Sequence, residues 1–139
     1  MLAKLEELKN SLEGEFFTDL TMRTLYATDA SVYRELPLAV ARPKSESDIK
    51  KLITFANQHK TSIIPRTAGT SLAGQVVGKG IVVDVSFHWT KVLEINKAEK
   101  WVRVQPGVNL DELNKILEPQ GLFFAPETST STRCMIGGT

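Results

Sequence analysis

Apolar positions recur at helical spacing in three stretches of the chain, and short β-branched runs lie between them. Leu2, Leu5, Leu8 and Leu12 form one stripe over residues 2–13, with Lys and Glu elsewhere and Gly14 as the stop. This predicts an amphipathic helix that either packs on the domain or offers its stripe to a partner. Residues 26–33 are polar and irregular and read as an extended lead-in. Residues 38–41 read as a short strand ended by Pro43, and Ser45 with Asp48 three residues on marks a helix start. Ile49, Leu52, Ile53 and Ala56 give that helix one apolar face, to about His59. Residues 62–65 predict the next strand. Residues 81–85 are almost continuously apolar and β-branched, the pattern of a strand buried on both faces.

Two further strands, residues 92–95 and 101–105, are joined by Asn96-Lys-Ala-Glu-Lys100 and predict an antiparallel hairpin. Val102 and Val104 point one way while Trp101, Arg103 and Gln105 point the other. Asn109, with Glu112 three residues on, opens a third long helix whose apolar side is Leu110, Leu113, Ile116 and Leu117. Pro119 and Gly121 end it, and residues 122–124 read as a short buried strand. Strand–helix–strand units followed by a hairpin predict an α/β (α+β) fold, a small mixed sheet flanked by helices.

Composition narrows the function classes. With 139 residues, 42% apolar and 24% charged, the chain has the make-up of one globular domain. A net charge of +1 leaves no electrostatic footprint for nucleic acid. No apolar run approaches the ~18 residues of a membrane span. One cysteine cannot make an internal disulfide, which fits a cytoplasmic location.

Candidate chemistry concentrates at residues 64–75, Ile-Pro-Arg-Thr-Ala-Gly-Thr-Ser-Leu-Ala-Gly-Gln. Small side chains let a ligand lie on the backbone, and Gly69 and Gly74 can take positive φ so that successive N–H groups converge on an anion. Thr67, Thr70 and Ser71 add hydroxyl donors. The loop is either a surface turn or a cradle for a diphosphate. It matches neither the Walker pattern nor Gly-x-Gly-x-x-Gly. Arg66, at its mouth, is a surface charge or a group that orders the loop and contributes to a diphosphate's field.

The loop resembles the pyrophosphate loop of the FAD-linked oxidases, whose FAD domain (PCMH type) is shared by vanillyl-alcohol oxidase, the glycolate oxidase flavin subunit and the D-lactate dehydrogenases. Three more stretches fall in that family's order. Leu-Ala-Val-Ala-Arg-Pro-Lys-Ser-Glu-Ser-Asp at 38–48 is similar to its strand–Pro–helix entry, and Val-Gln-Pro-Gly-Val at 104–108 to its second turn. Residues 124–138, Phe-Ala-Pro-Glu-Thr-Ser-Thr-Ser-Thr-Arg-Cys-Met-Ile-Gly-Gly, resemble the segment that runs under the flavin. The resemblance covers roughly residues 24–139.

It implies the first part of a vanillyl-alcohol-oxidase-type FAD-binding domain, from a D-2-hydroxyacid dehydrogenase of lactate or glycolate type. On this reading residues 1–139 are a truncated N-terminal part: 1–35 a helical and extended lead-in, 36–139 the flavin-domain core. The cofactor is FAD, and the binding residues implied are Arg66, Thr67, Ala68, Gly69, Thr70, Ser71, Gly74, Gln75, Pro126, Glu127, Ile136, Gly137 and Gly138. Thr70 stands where members with covalent flavin have His, so the binding is expected to be non-covalent. Thr67 and Ala68 replace glycines usual after the loop Arg, and Glu127 replaces an Asp. Cys134 reads as a packed thiol rather than a second attachment point.

No catalytic residue can be named within the chain, since the family's reaction chemistry belongs to the flavin ring. His59 and His88 lack partners at metal-ligand spacing, and no metal site is expected. The resemblance implies for the parent enzyme a small 2-hydroxyacid substrate, an electron acceptor that is either an iron–sulfur part or a quinone, and a location in the cytoplasm or peripheral to the inner membrane. For the chain alone, inactivity and self-association are expected. The rival reading is a non-catalytic nucleotide- or anion-binding module.

Overall fold

The chain builds its main sheet by inserting a late strand between two earlier ones. The computed structural model describes residues 2–139. Its first sheet comprises β1 (Glu15–Phe17), β2 (Ala39–Arg42), β3 (Ile63–Arg66) and β4 (Ile81–Asp84). The spatial order is β1-β2-β4-β3, with β4 parallel to both β2 and β3 and β1 antiparallel to β2. Three helices belong to this half: α1 (Leu2–Ser11), α2 (Leu20–Leu25) and α3 (Glu46–His59).

Alternation along the strands gives the sheet two apolar faces. Phe16, Ala39, Ala41, Ile81 and Val83 pack with Leu5 and Leu8 of α1 and Leu52 and Phe55 of α3. Val40 and Val82 pack on the other side with Tyr26, flanked by Phe17, Met22 and Ile64. Every residue of β4 is buried, and the chain itself supplies the cover on both faces. Burying a leucine contributes about 2 kcal/mol. Leu5 and Leu8 therefore hold a helix of 10 residues that would be marginal alone.

The second cluster is a hairpin of β5 (Val92–Asn96) and β6 (Trp101–Val104) with α4 (Leu110–Leu117) laid against it. Val102 and Val104 pack with Val108, Leu113 and Leu117, as the alternation predicts. Ser45 and Asn109 are the N-caps of α3 and α4, accepting from the amides of Asp48 and Glu112.

Three expectations need correction. The inward stripe of α3 is Asp48, Leu52, Phe55 and Ala56, while Ile53 is 47% exposed. The stripe is rotated because it begins on a carboxylate, which apolar periodicity cannot register. Likewise Ile116 of α4 is 44% exposed. Residues 122–124 are not a strand. Asn114 of α4 replaces a neighbouring strand, its amide nitrogen donating to the Phe124 carbonyl at 3.2 Å and its oxygen accepting the Phe124 N–H at 2.7 Å. Leu122 and Phe124 turn inward, and Phe123 is 76% exposed. Residues 15–25, which carry no clear periodicity, form β1 and α2.

Asp48 is fully buried, and its carboxylate accepts three main-chain N–H groups. Glu13 donates to Oδ1 at 2.9 Å, and Gly14 and Lys44 donate to Oδ2 at 2.9 and 3.0 Å. These bonds clamp the α1–β1 connection to the start of α3. Burial pushes the carboxyl's pKa up, but the three amides outweigh it and the net shift is downward. Asp48→Asn retains one acceptor oxygen and turns donors toward donors, so a loss of about 3 kcal/mol in urea unfolding is expected. Because the folded pKa is depressed, the carboxylate's contribution is present above the unfolded value and lost as pH falls through the folded one. The gap between wild type and Asp48→Asn should therefore narrow across that acid window, and a gap constant with pH would contradict this role.

Candidate functional site

The glycine loop leaves the sheet at the C-terminal end of β3, the side on which open α/β sheets place ligands. Gly69 and Gly74 both take positive φ, +69° and +73°. The main-chain N–H groups of residues 67–71 donate to no protein acceptor among the described residues. The second half of the loop is closed by Ser71, whose hydroxyl contacts the Gln75 side chain and accepts the N–H groups of Ala73 and Gln75.

Arg66 turns back under this loop. Its Nη1 donates to the Thr28 carbonyl at 2.8 Å, and its guanidinium lies 5.2 Å from the centre of the Tyr26 ring. A Cβ on Gly69 would stand 2.5 Å from the Arg66 Nη2. Loop ordering is thus the role its contacts display.

Tyr26 in turn is anchored by Asp84, the last residue of β4. The Tyr26 hydroxyl donates to Asp84 Oδ2 at 2.5 Å and accepts from Arg42 Nη2 at 2.9 Å. Asp84 Oδ1 accepts both the N–H and the hydroxyl of Ser86, at 2.8 and 2.6 Å. Burial and the neighbouring Asp84 carboxylate raise the Tyr26 phenol above its ordinary pKa, so the hydroxyl stays a donor. At the sheet edge, His88 Nε2 lies 2.8 Å from Glu15 Oε2, and Lys44 Nζ lies 3.3 Å from Oε1. Burial pulls the Glu15 carboxyl up, but the His88 and Lys44 contacts and its own backbone amide bring it below its ordinary value.

Facing the loop is the segment 128–139, held in place by the turn Pro106-Gly107-Val108. Gly137 N–H donates to the Pro106 carbonyl at 2.8 Å, Ile136 N–H to Val108 at 2.9 Å, and Gly107 N–H to Trp89 at 2.7 Å. Gly138 comes so close that a Cβ there would lie 2.9 Å from Thr67 Oγ1. Between the two segments lies a cleft of about 540 Å³. Thr67, Gly69, Thr70, Ser71 and Gln75 line one side, and Thr128, Ser129, Thr130, Cys134, Gly137 and Gly138 the other.

The lining carries no charged side chain. Residues with unengaged amides and free hydroxyls line a cleft that no Asp or Glu side chain enters, a donor set that fits the oxygens of a diphosphate. Of the residues expected at the site, Thr67, Gly69, Thr70, Ser71, Gln75, Gly137 and Gly138 come together here. Gly74 and Ala68 belong to the loop without lining the cleft, and Ile136 packs into the second core cluster. Pro126 and Glu127 line a separate hollow of about 270 Å³ beside α4. Thr128, Ser129 and Thr130, whose hydroxyl run is visible in the sequence, add lining residues beyond those expected. Cys134 is buried at the cleft's floor, with Sγ 2.9 Å from Thr128 Oγ1.

Comparison with known proteins bears on the whole of this region. Residues 37–139 match the family model described as "FAD binding domain". The chain is 47% identical over 129 residues to D-2-hydroxyglutarate dehydrogenase of Haemophilus influenzae, an alignment covering 91% of this chain and 13% of that protein. It is 33% identical to the glycolate oxidase subunit GlcD of Bacillus subtilis, covering 84% of this chain and 25% of that one. Among solved structures, an alkyldihydroxyacetonephosphate synthase superposes with a TM-score of 0.84 at 20% identity, over 99% of this chain and 28% of that one. A 6-hydroxy-D-nicotine oxidase from Arthrobacter nicotinovorans superposes with a TM-score of 0.67 at 24% identity, over 80% of this chain and 25% of that one. These relatives share the fold expected from the sequence. The chain spans roughly an eighth to a quarter of the length of the curated relatives it matches.

Gly121 outside the site and Gly69 inside it, with φ of +70° and +69°, allow a clean comparison. Gly121 has nothing within 4 Å of a built Cβ, whereas Gly69 has the Arg66 guanidinium there. Gly121→Ala should cost about 1 kcal/mol, the backbone strain alone. Gly69→Ala should cost about 2 kcal/mol in the same urea measurement, and Arg66→Ala should relieve part of the excess. Equal losses for the two glycines would mean that Arg66 does not press on the loop.

Proposed function

The chain belongs to the FAD binding domain family, and from that premise we propose that it binds FAD non-covalently in the cleft between residues 67–75 and 128–139. The observation that carries this reading is the stretch 67–71, whose amides donate to no protein acceptor among the described residues and of which all but Ala68 line a hydroxyl-rich cleft without charged side chains. Thr67, Ala68, Gly69, Thr70 and Ser71 offer main-chain N–H groups to the diphosphate, and Gln75 and the hydroxyls of Thr70 and Ser71 add side-chain donors. Arg66 serves by ordering the loop and by lending positive charge behind it. Gly137 and Gly138 allow close approach on the opposite wall. Pro126, Glu127 and Ile136 stand outside this cleft, the first two in the hollow beside α4 and Ile136 in the second core cluster, and have no direct contact role in this proposal. Thr70, in place of His, and the buried Cys134 thiol support a non-covalent attachment.

The longer protein of which such a domain forms part is, on this proposal, a D-2-hydroxyacid dehydrogenase acting on a small 2-hydroxyacid. The similarity to D-2-hydroxyglutarate dehydrogenase and to a glycolate oxidase subunit supports that class. Bound flavin would supply the electron acceptor for oxidation at the hydroxyl-bearing carbon. This chain's residues bind and orient it, and no acid–base pair lines the cleft. An iron–sulfur acceptor part and a cytoplasmic setting, peripheral to the inner membrane, complete the proposal. Among the described residues no helix is long and apolar enough to cross a membrane. Self-association of the chain is part of the proposal, with the exposed Leu72 and Phe123 among the apolar groups it would cover.

Titrating the purified chain with FAD should quench flavin fluorescence saturably, and acid precipitation should leave all the flavin in the supernatant. Thr70→Glu, which sets a carboxylate among the amides, should weaken binding at least about tenfold. Flavin retained in the precipitate would refute non-covalent attachment. ADP binding without flavin binding would replace this reading with that of a nucleotide-binding module. A second expectation is that the 139-residue chain with FAD turns over neither D-lactate nor D-2-hydroxyglutarate with an artificial acceptor. Turnover above a free-flavin control would place catalytic groups in this chain.

A further inference from the structure

Residues 27–35 form a strap that touches the glycine loop at its cation and at both of its positive-φ glycines. Thr28 offers its carbonyl to Arg66 Nη1 at 2.8 Å. Ala30 N–H donates to the Gly69 carbonyl at 3.1 Å. Tyr33 lays its ring on Gly74, where a Cβ would come within 2.5 Å of Cδ2. Three contacts spaced along the strap thus meet three points spaced along the loop.

The strap has its own rigid construction. Asp29 Oδ1 accepts the Ser31 N–H at 2.8 Å, and Ser31 Oγ accepts the Tyr33 N–H at 3.1 Å, two side-chain turns in succession. A bridge between Thr28 and Arg34 and a Glu35 N–H bond to the Ala27 carbonyl, 3.0 Å, close its base. Ala27 is fully buried, and Tyr26 beside it is tied to Asp84. One end of the strap is therefore fixed in the core. Its tip is not packed: Val32 is 94% exposed.

The loop needs such support. Its amides at 67–71 donate to no protein acceptor among the described residues, and the ladder of β3 ends at Arg66. The only internal bonds of the loop among the described residues lie in its second half, around Ser71, so its first half is held in one conformation by what lies behind it. We propose that the strap is the template that holds the loop in its binding conformation, with Tyr33 as the positioning residue at Gly74. This rests on the assignment of the loop as the FAD diphosphate site. Ligand affinity then depends on a side chain that does not line the cleft, because a loop only partly in the competent state binds in proportion to that fraction.

Tyr33→Ala and Tyr33→Phe in the full chain test this. Among the described residues nothing bonds to the Tyr33 hydroxyl, so the ring is the part that acts. In the ligand-free protein, Tyr33→Ala should lower the backbone NMR order parameters of residues 67–75 while those of β2 and β4 stay unchanged. Tyr33→Phe should match wild type. With FAD, Tyr33→Ala should raise the Kd about tenfold, and Tyr33→Phe should restore it. Unchanged order parameters for Tyr33→Ala would overturn the proposal, as would unchanged affinity with wild type binding FAD normally. If wild type bound no FAD, the diphosphate reading would fail, and the order parameters would still decide whether the strap sets the loop.

Discussion

The carboxylate of Asp84 is where the sheet, the glycine loop and the second cluster are joined. It closes the central strand β4, is 3% exposed, and accepts from Tyr26 and twice from Ser86. A buried carboxylate is costly unless its oxygens are satisfied. Meeting that demand fixes three things. Tyr26 is drawn over the sheet, where it presents its ring to Arg66 and its hydroxyl to Arg42. The chain after β4 turns at Ser86 toward the hairpin. The register that sets Arg66 opposite Asp84 also lets Val85 donate to the Arg66 carbonyl at 3.0 Å, so the glycine loop begins at a fixed point.

Asp48 solves the same electrostatic problem differently. Asp84 is satisfied by side-chain hydroxyls and one amide, Asp48 by three amides from two separate segments. The first arrangement leaves a phenol and an arginine in contact with the site. The second only joins α1, β1 and α3. Two buried acids in one half of the molecule thus divide into one that supports the site and one that supports the fold.

The cleft follows from this layout. One wall grows from β3 and the other from the turn at 106–108, so its width depends on how the second cluster docks on the first. Gly138 against Thr67 is a point of close approach between the walls. Because the lining carries no charged side chain, anion binding there must come from amide and hydroxyl dipoles, with Arg66 acting from behind Gly69. Dipoles held in place need no reorganisation when a ligand arrives. Rigidity behind the loop matters as much as the donors in front of it.

Much of this was legible in the residues themselves. The helical stripes of α1, α3 and α4, the caps at Ser45 and Asn109, the β-branched run of β4 and the alternation in β6 are local patterns, and local burial is what they report. The glycine loop was legible for the same reason, since small residues and two glycines restrict what a backbone can do there. Tertiary structure alone decided which partners meet. Asp48 bonds to Glu13 and Gly14, 35 and 34 positions away, and that turned the buried face of α3 away from Ile53. Asn114 took the place of a strand for Phe124, so an apolar run became an irregular segment. Pro126 and Glu127 went to a hollow beside α4, and the polar lead-in became a strap under the loop. Each of these outcomes depends on a hydrogen-bond partner remote in sequence. Periodicity measures how a segment faces the core, and it carries no record of which distant group completes a buried donor or acceptor.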